Sequence, residues 1–264
     1  MRFKLTLACN KFPVSLPVNY QYPLSSAIYH IIQSADAEFA SFLHDTGYGQ
    51  GFKSFKLFTF SDIITPFKMR GDRMQLLASK ATLNICFYLP DAAENFIKGL
   101  FMNQQIEIGD KISRVSFHVE QIESIAEEIN FKKDKKILLQ PLSPLVAGIK
   151  NEKGNYTYLD PCDSRFAESL IHNWLQKYKA IYAASDDMLD RLKEETLLNI
   201  LFFSNPPQSR LITIKAGSTE ETKIRGFKKF RLEVMASKEL LEIALGAGLG
   251  LYNAQGMGCV EMVR

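Results

Sequence analysis

The sequence predicts an α+β protein made of two tandem ferredoxin-like (βαββαβ) units, and three observations predict it. The first half reads strand, helices, strand, strand, helix, strand. The second half repeats that order more loosely. A short charged run, Phe131-Lys-Lys-Asp-Lys-Lys136, lies between them as a linker, so the expected units are residues 1–130 and 137–264.

The elements follow in order. Arg2 to Ala8 alternates as a strand does, and Ser25 to Gln33 and Ala35 to His44 have helical spacing. Phe55 to Ser61 and Arg73 to Ala81 read as extended. Asp91 to Leu100 is a helix behind Pro90, and Lys111 to Ile122 alternates, with Arg114, Ser116, His118 and Glu120 opposite Val115, Phe117 and Val119. In the second half, strands are expected at Ile137 to Ile149, Arg210 to Lys215, Gly226 to Met235 and Met257 to Val263, with helices at Ser164 to Ala183 and Lys238 to Leu245. Asp187 to Glu195 and Leu197 to Phe203 fit no place in this scheme.

A chain of 264 residues with 46% hydrophobic and 23% charged residues is globular in composition, which excludes disorder and suits one large or two modest domains. A net charge of +3 excludes a polycation that coats nucleic acid indiscriminately, so any basic footprint is local. Cys9, Cys86, Cys162 and Cys259 form no C-x-x-C pair and sit in mostly apolar surroundings. They read as reduced core thiols in a cytoplasmic protein, with no zinc signature. Arg2 to Leu7 lacks the apolar stretch of a signal peptide, and no window reaches the roughly 18 apolar residues of a membrane span, so no membrane partner is expected.

The ending is dense in glycine: Gly246-Ala-Gly248-Leu-Gly250-Leu-Tyr-Asn-Ala-Gln-Gly256-Met-Gly258. Such spacing calls for left-handed backbone or close approach to another surface. A helix C-cap at Gly246 followed by a long turn accounts for the glycines taken alone. A dinucleotide loop does not: G-x-G-x-x-G is never met, and the segment follows a helix where that fingerprint follows a strand.

Taken whole, a helix, then G-x-G-x-x-N-x-x-G-x-G, then a short apolar strand resembles the C-terminal signature of the CRISPR-associated endoribonucleases of the Cas six family, which process precursor guide RNA. Met257 is a departure, since an aromatic residue often stands between the last two glycines. A second segment carries the resemblance independently: Ala27-Ile-Tyr29-His, then Phe42-Leu-His44-Asp-Thr-Gly47, then Phe55-Lys56-Leu-Phe-Thr-Phe-Ser61. The resemblance implies two ferredoxin-like domains and a glycine-rich loop (Gly248, Gly250, Gly256, Gly258) on the RNA-facing side. It implies that His44 holds the position of the family's general catalytic histidine, that Tyr29 matches a catalytic tyrosine of some members, and that Lys56 matches an assisting lysine.

Those residue types suit RNA cleavage without metal or cofactor. The 2′-hydroxyl attacks the adjacent phosphorus, one proton is taken, another goes to the departing 5′-oxygen, and growing negative charge is offset. Histidine moves protons near neutral pH. A neutral tyrosine is a weak base, which favours an orienting role for Tyr29, although the roles of Tyr29 and His44 can be exchanged. Taken singly, Tyr29 reads as a boundary tyrosine, His44 as a helix C-terminal charge and Lys56 as a solvated edge residue. Their order and spacing together favour the functional reading.

Between Pro207 and Arg231 the basic residues Arg210, Lys215, Lys223, Arg225, Lys228, Lys229 and Arg231 meet only Glu220 and Glu221, which marks this segment for RNA phosphates. Lys53, Lys68, Arg70 and Arg73 form a second candidate patch. His30 points away from Tyr29, His172 beside Trp174 reads as packing, and His118 as an exposed strand residue. The resemblance implies CRISPR repeat RNA as partner, cut to leave 2′,3′-cyclic phosphate and 5′-hydroxyl ends, and other CRISPR-associated proteins as further partners; a homodimer is left open. The alternatives are a noncatalytic repeat-RNA-binding subunit of an interference complex and a nucleotide-binding enzyme using the C-terminal glycines.

Overall fold

Apolar alternation decides where the first sheet forms. In the computed structural model, which describes residues 1–49, 54–126, 136–152, 154–202, 207–215 and 219–263, β1 (Arg2–Cys9) buries Phe3, Leu5 and Leu7. The short β2 (Ser15–Pro17), α1 (Gln21–Ala35) and α2 (Ala37–Ser41) follow. Next come β3 (Phe58–Phe60), β4 (Phe67–Arg70), β5 (Arg73–Leu76) and β6 (Lys80–Phe87). The first half ends with α3 (Pro90–Met102), β7 (Gln105–Gly109) and β8 (Arg114–Ile125). The sheet runs β3-β6-β1-β8-β7 with antiparallel neighbours, and α1 packs against α3 over it. This is the ferredoxin-like arrangement, widened at one edge by β7.

One expected strand is displaced. The extended segment expected at Arg73 to Ala81 is not a strand of the core sheet: β5 joins β2 and β4 in a separate three-stranded sheet, and the core strand is β6. β6 buries Ala81, Leu83, Ile85 and Phe87 on one face and Cys86 on the other, which blurs the alternation that would mark it. β8 alternates as expected, with Val115, Phe117 and Val119 buried.

The second half contains β9 (Ile137–Pro141), β10 (Gly148–Lys150), β11 (Tyr156–Tyr158), α4 (Arg165–Tyr182) and α5 (Asp186–Glu195). β12 (Leu197–Phe202), β13 (Gln208–Ile214), β14 (Thr222–Lys228), β15 (Phe230–Met235), α6 (Lys238–Ala247) and β16 (Val260–Met262) complete it. Its sheet runs β12-β15-β9-β16, the same ferredoxin-like order, and β13 and β14 form a separate hairpin. Two expected strands are each divided. Ile137 to Ile149 breaks after Pro141, and Gly226 to Met235 breaks at Lys229, whose φ is 64°. The two segments without a place in the sequence scheme are α5 and the edge strand β12. The expected linker lies outside the described residues except Lys136, whose ammonium meets Glu233 at 2.9 Å.

Each sheet has its own apolar core, one around Leu5, Phe58 and Phe117, the other around Phe166, Trp174 and Ile243. Polar contacts tie them together. Asp62, just beyond β3, accepts from Arg210 at 3.0 Å and from Lys228, while Arg210 also donates to Val18 O at 2.7 Å. Arg2 is buried and donates to Val260 O. Cys86 and Cys259 are buried core thiols, as expected; Cys162, against expectation, is exposed on the turn before α4. No described helix is long and apolar enough to cross a membrane.

Candidate active-site cleft

α1 points Leu24, Ile28, Ile31 and Ile32 into the first core. Its helical period therefore places Tyr22, Ser26, Tyr29 and Gln33 on the opposite side, where they line a cleft of about 1140 Å³ between the two units. Tyr29 is half-buried. Its ring meets Phe58 edge-on at 5.4 Å and His44 edge-on at 5.3 Å. Its hydroxyl has no hydrogen-bond partner among the described residues, and burial holds its pKa well above the ordinary tyrosine value. Tyr29 therefore faces the cleft as a neutral hydroxyl.

After α2 the chain winds one wider turn, Phe42–Thr46, closed by the Gly47 N–H donating to Phe42 O at 2.7 Å. His44 projects from it with 69% of its side chain exposed, and its Nδ1 lies 2.7 Å from Asp45 Oδ1. His44 and Ser41 together hold the Asp45 carboxyl below the usual carboxylate range. With Nδ1 donating to that carboxylate, Nε2 is the ring nitrogen left for an incoming group.

Lys56 follows the bridge that pairs Tyr48 with Phe55, and its Nζ donates to the backbone O of His44 at 2.7 Å. Burial pulls its pKa down, and Asp45 opposes that shift. Gly47 makes the approach feasible: its φ is +64°, and a Cβ there would stand 2.8 Å from Phe55 O and 3.0 Å from Lys56 Cδ. Tyr29, His44 and Lys56, carried by a helix, a turn and an extended segment, thus line one cleft.

The glycine-rich ending crosses to the first unit. Gly248, Gly250, Gly256 and Gly258 are all buried, with φ of 79°, 70°, 80° and 70°. Ala254 O accepts the Ser25 hydroxyl at 2.6 Å, Met257 O accepts the Thr59 hydroxyl at 2.9 Å, and Gly256 lies against the Phe60 ring. Asn253 Nδ2 closes the loop by donating to Leu249 O and Met257 O, both at 3.0 Å. A Cβ on Gly258 would overlap Leu249 O. The glycines shape this loop from within, and Leu251, Tyr252, Asn253 and Gln255 face the cleft.

The basic segment is divided by its contacts. Arg210 and Lys228 turn inward to Asp62, Lys215 pairs with Glu220, and Lys223 with Glu221 at 3.7 Å. Arg225 and Lys229 are exposed, and Arg231 is half-buried on β15. None of these residues lines the cleft. The inner face of the hairpin, Ile212, Ile214 and Ile224, packs with Val146 and Met257 beneath the glycine-rich loop. In the second candidate patch, Arg73 is bound to Asp110 at 2.7 Å and Lys53 lies outside the described residues.

The far wall of the cleft holds residues that sequence reasoning missed: Lys150, Tyr156, Arg165, His172 and Lys193. Lys150 sits over the Tyr156 ring at 5.5 Å. His172 is exposed there and does not pack as expected. Trp174 is buried with its Nε1 donating to Leu240 O at 2.6 Å, and two helical steps are about 200°, which sends His172 outward.

A model of the C-terminal region of the CRISPR-associated protein Cas6 matches residues 125–262, and a model of the N-terminal region of CRISPR-associated protein Cas6 matches residues 15–123. The chain belongs to the Cas6 family. It is 34% identical to a CRISPR-associated endoribonuclease Cas6 of Methanocaldococcus jannaschii over 192 residues, 71% of this chain and 69% of that protein. Its identity to the CRISPR-associated endoribonuclease Cas6 of Pyrococcus furiosus is 24% over 249 residues, 94% of this chain and 83% of the relative. A solved structure of a Cas6-related gene product from Pyrococcus furiosus has the same fold, with TM-score 0.79 at 20% identity over 100% of this chain and 98% of that one. The expected fold of two ferredoxin-like units is therefore that of Cas6 proteins.

Proposed function

We propose that this Cas6-family endoribonuclease cuts CRISPR repeat RNA in precursor guide RNA without a metal ion, by attack of a 2′-hydroxyl on the adjacent phosphorus. The observation that carries the reading is the meeting of three groups in one cleft: the Tyr29 and His44 rings in contact, and the Lys56 ammonium tied to the backbone of His44. Tyr29, whose hydroxyl stays neutral, orients the 2′-hydroxyl, and that proton passes to water. Nε2 of His44 delivers a proton to the departing 5′-oxygen. Lys56 keeps two N–H groups beyond its bond to His44 O, and these offset the charge that grows on the phosphate. The products are a 2′,3′-cyclic phosphate and a 5′-hydroxyl.

RNA phosphates lie against Lys150, Arg165 and Lys193 on the far wall and extend to Lys215, Lys223, Arg225, Lys229 and Arg231 of the basic segment. Arg210, Lys228 and the four loop glycines support RNA binding from behind, by holding the hairpin and the loop in place. The test is incubation with repeat RNA in excess EDTA. We expect a single cut with a cyclic phosphate end, no cut when the attacking hydroxyl is replaced by hydrogen, and a loss of about 10²- to 10⁴-fold for His44→Ala. Undiminished cleavage by His44→Ala would sink the proposal.

A further inference from the structure

The face of α4 that enters the second core carries Leu170, Trp174 and then Lys177, one helical period after another. Lys177 borders the cleft yet is only 1% exposed, at a position where an apolar side chain is the physical default. Its ammonium donates to Gly248 O at 2.6 Å and reaches Gly250 O at 3.4 Å, and no other donor among the described residues meets these carbonyls. Among the described residues no carboxylate pairs with it; burial pulls its pKa down to about 7. A lysine placed so against its own desolvation does work that a leucine would not.

That work is visible in what the carbonyls belong to. Gly248 and Gly250 begin the loop whose middle reaches α1, where Ala254 O accepts the Ser25 hydroxyl at 2.6 Å. Ser25 stands one helical turn before Tyr29 on the same side of α1, and both line the cleft. Lys177 and Ser25 thus hold the same loop from the second unit and the first, and Tyr29 follows Ser25 by one turn of α1.

We propose that Lys177 is a positioning residue for RNA cleavage, fixing the glycine-rich loop so that the loop, through Ser25, sets the place of Tyr29. The inference rests on the cleavage reading above. It assigns Lys177 no contact with the reacting atoms.

The test uses the full chain, with single-turnover cleavage at saturating repeat RNA, affinity for an uncleavable 2′-deoxy repeat, and urea unfolding. Lys177→Met keeps the stem and removes the ammonium. We expect it to fold, to bind within about threefold of the native protein, and to cut about ten- to a hundredfold more slowly, the effect of one charge-assisted hydrogen bond. Ser25→Ala is expected to slow cutting with affinity kept, and the double variant to be no slower than Lys177→Met, because the two act in series. An unchanged saturating rate in folded Lys177→Met overturns the proposal, as does a loss confined to affinity, which makes Lys177 a phosphate contact. If Lys177→Met does not fold, Ser25→Ala decides, and an unchanged rate there overturns it. His44→Ala run alongside separates the two readings: native cutting by that variant removes the site itself, whereas its silence beside native cutting by Lys177→Met removes only the positioning role.

Discussion

The turn that carries His44 and the loop from Gly248 to Gly258 border one cleft, and they are held in opposite ways. The turn is exposed, closed by one glycine and steadied by neighbours in sequence, Ser41 and Asp45, with Lys56 over it. The loop is buried at its glycines and fastened to elements far away in the chain: α1, β3 and α4. The difference teaches where rigidity is needed. In the proposed reaction the proton-transfer group gains from reach and solvent contact, whereas a surface that is to fix an RNA strand gains from being unable to give.

The largest test of this contrast is Gly258→Ala. A methyl group there overlaps Leu249 O at a φ of +70°, and neither side can yield because both are backbone. We expect a loss of about 4 kcal/mol or more, read by urea unfolding; a stable variant would show that the loop can move. Asp62→Asn comes next. It leaves Arg210 and Lys228, 22% and 27% exposed, facing a neutral amide behind the loop, at a cost of about 3 kcal/mol by the same measurement. The smallest is Asp45→Asn. Because the pair with His44 is open to water, we expect cleavage to fall by less than about tenfold with unchanged thermal stability. A larger fall would mean that the turn, too, depends on a fixed partner.

What the sequence made legible follows the range of the interactions involved. β1, α3 and β8 are set by alternation, helical period and Pro90, all local, and they lie close to where the pattern puts them. Tyr29, His44 and Lys56 are candidates because their segments match a family's order, and the fold brings all three to one cleft. β6 was misplaced because both its faces are buried near Cys86. Arg210 and Lys228 read as free cations because Asp62, their partner, lies about 150 residues earlier, and no local window contains both. Lys177 was legible in principle: it continues the spacing of Leu170 and Trp174, and a charge at a core position asks for acceptors. Those acceptors, two glycine carbonyls, carry no sequence signal.

The fastening of the last loop onto the first helix also sets an order of events during synthesis. A ribosome delivers Ser25, Tyr29 and Thr59 long before Gly248, Ala254 and Met257, so the first unit can complete its own sheet while the far boundary of the cleft does not yet exist. The nascent protein carries Tyr29, His44 and Lys56, the groups of the proposed reaction, early, and acquires the loop that borders the same cleft only after the second unit has followed.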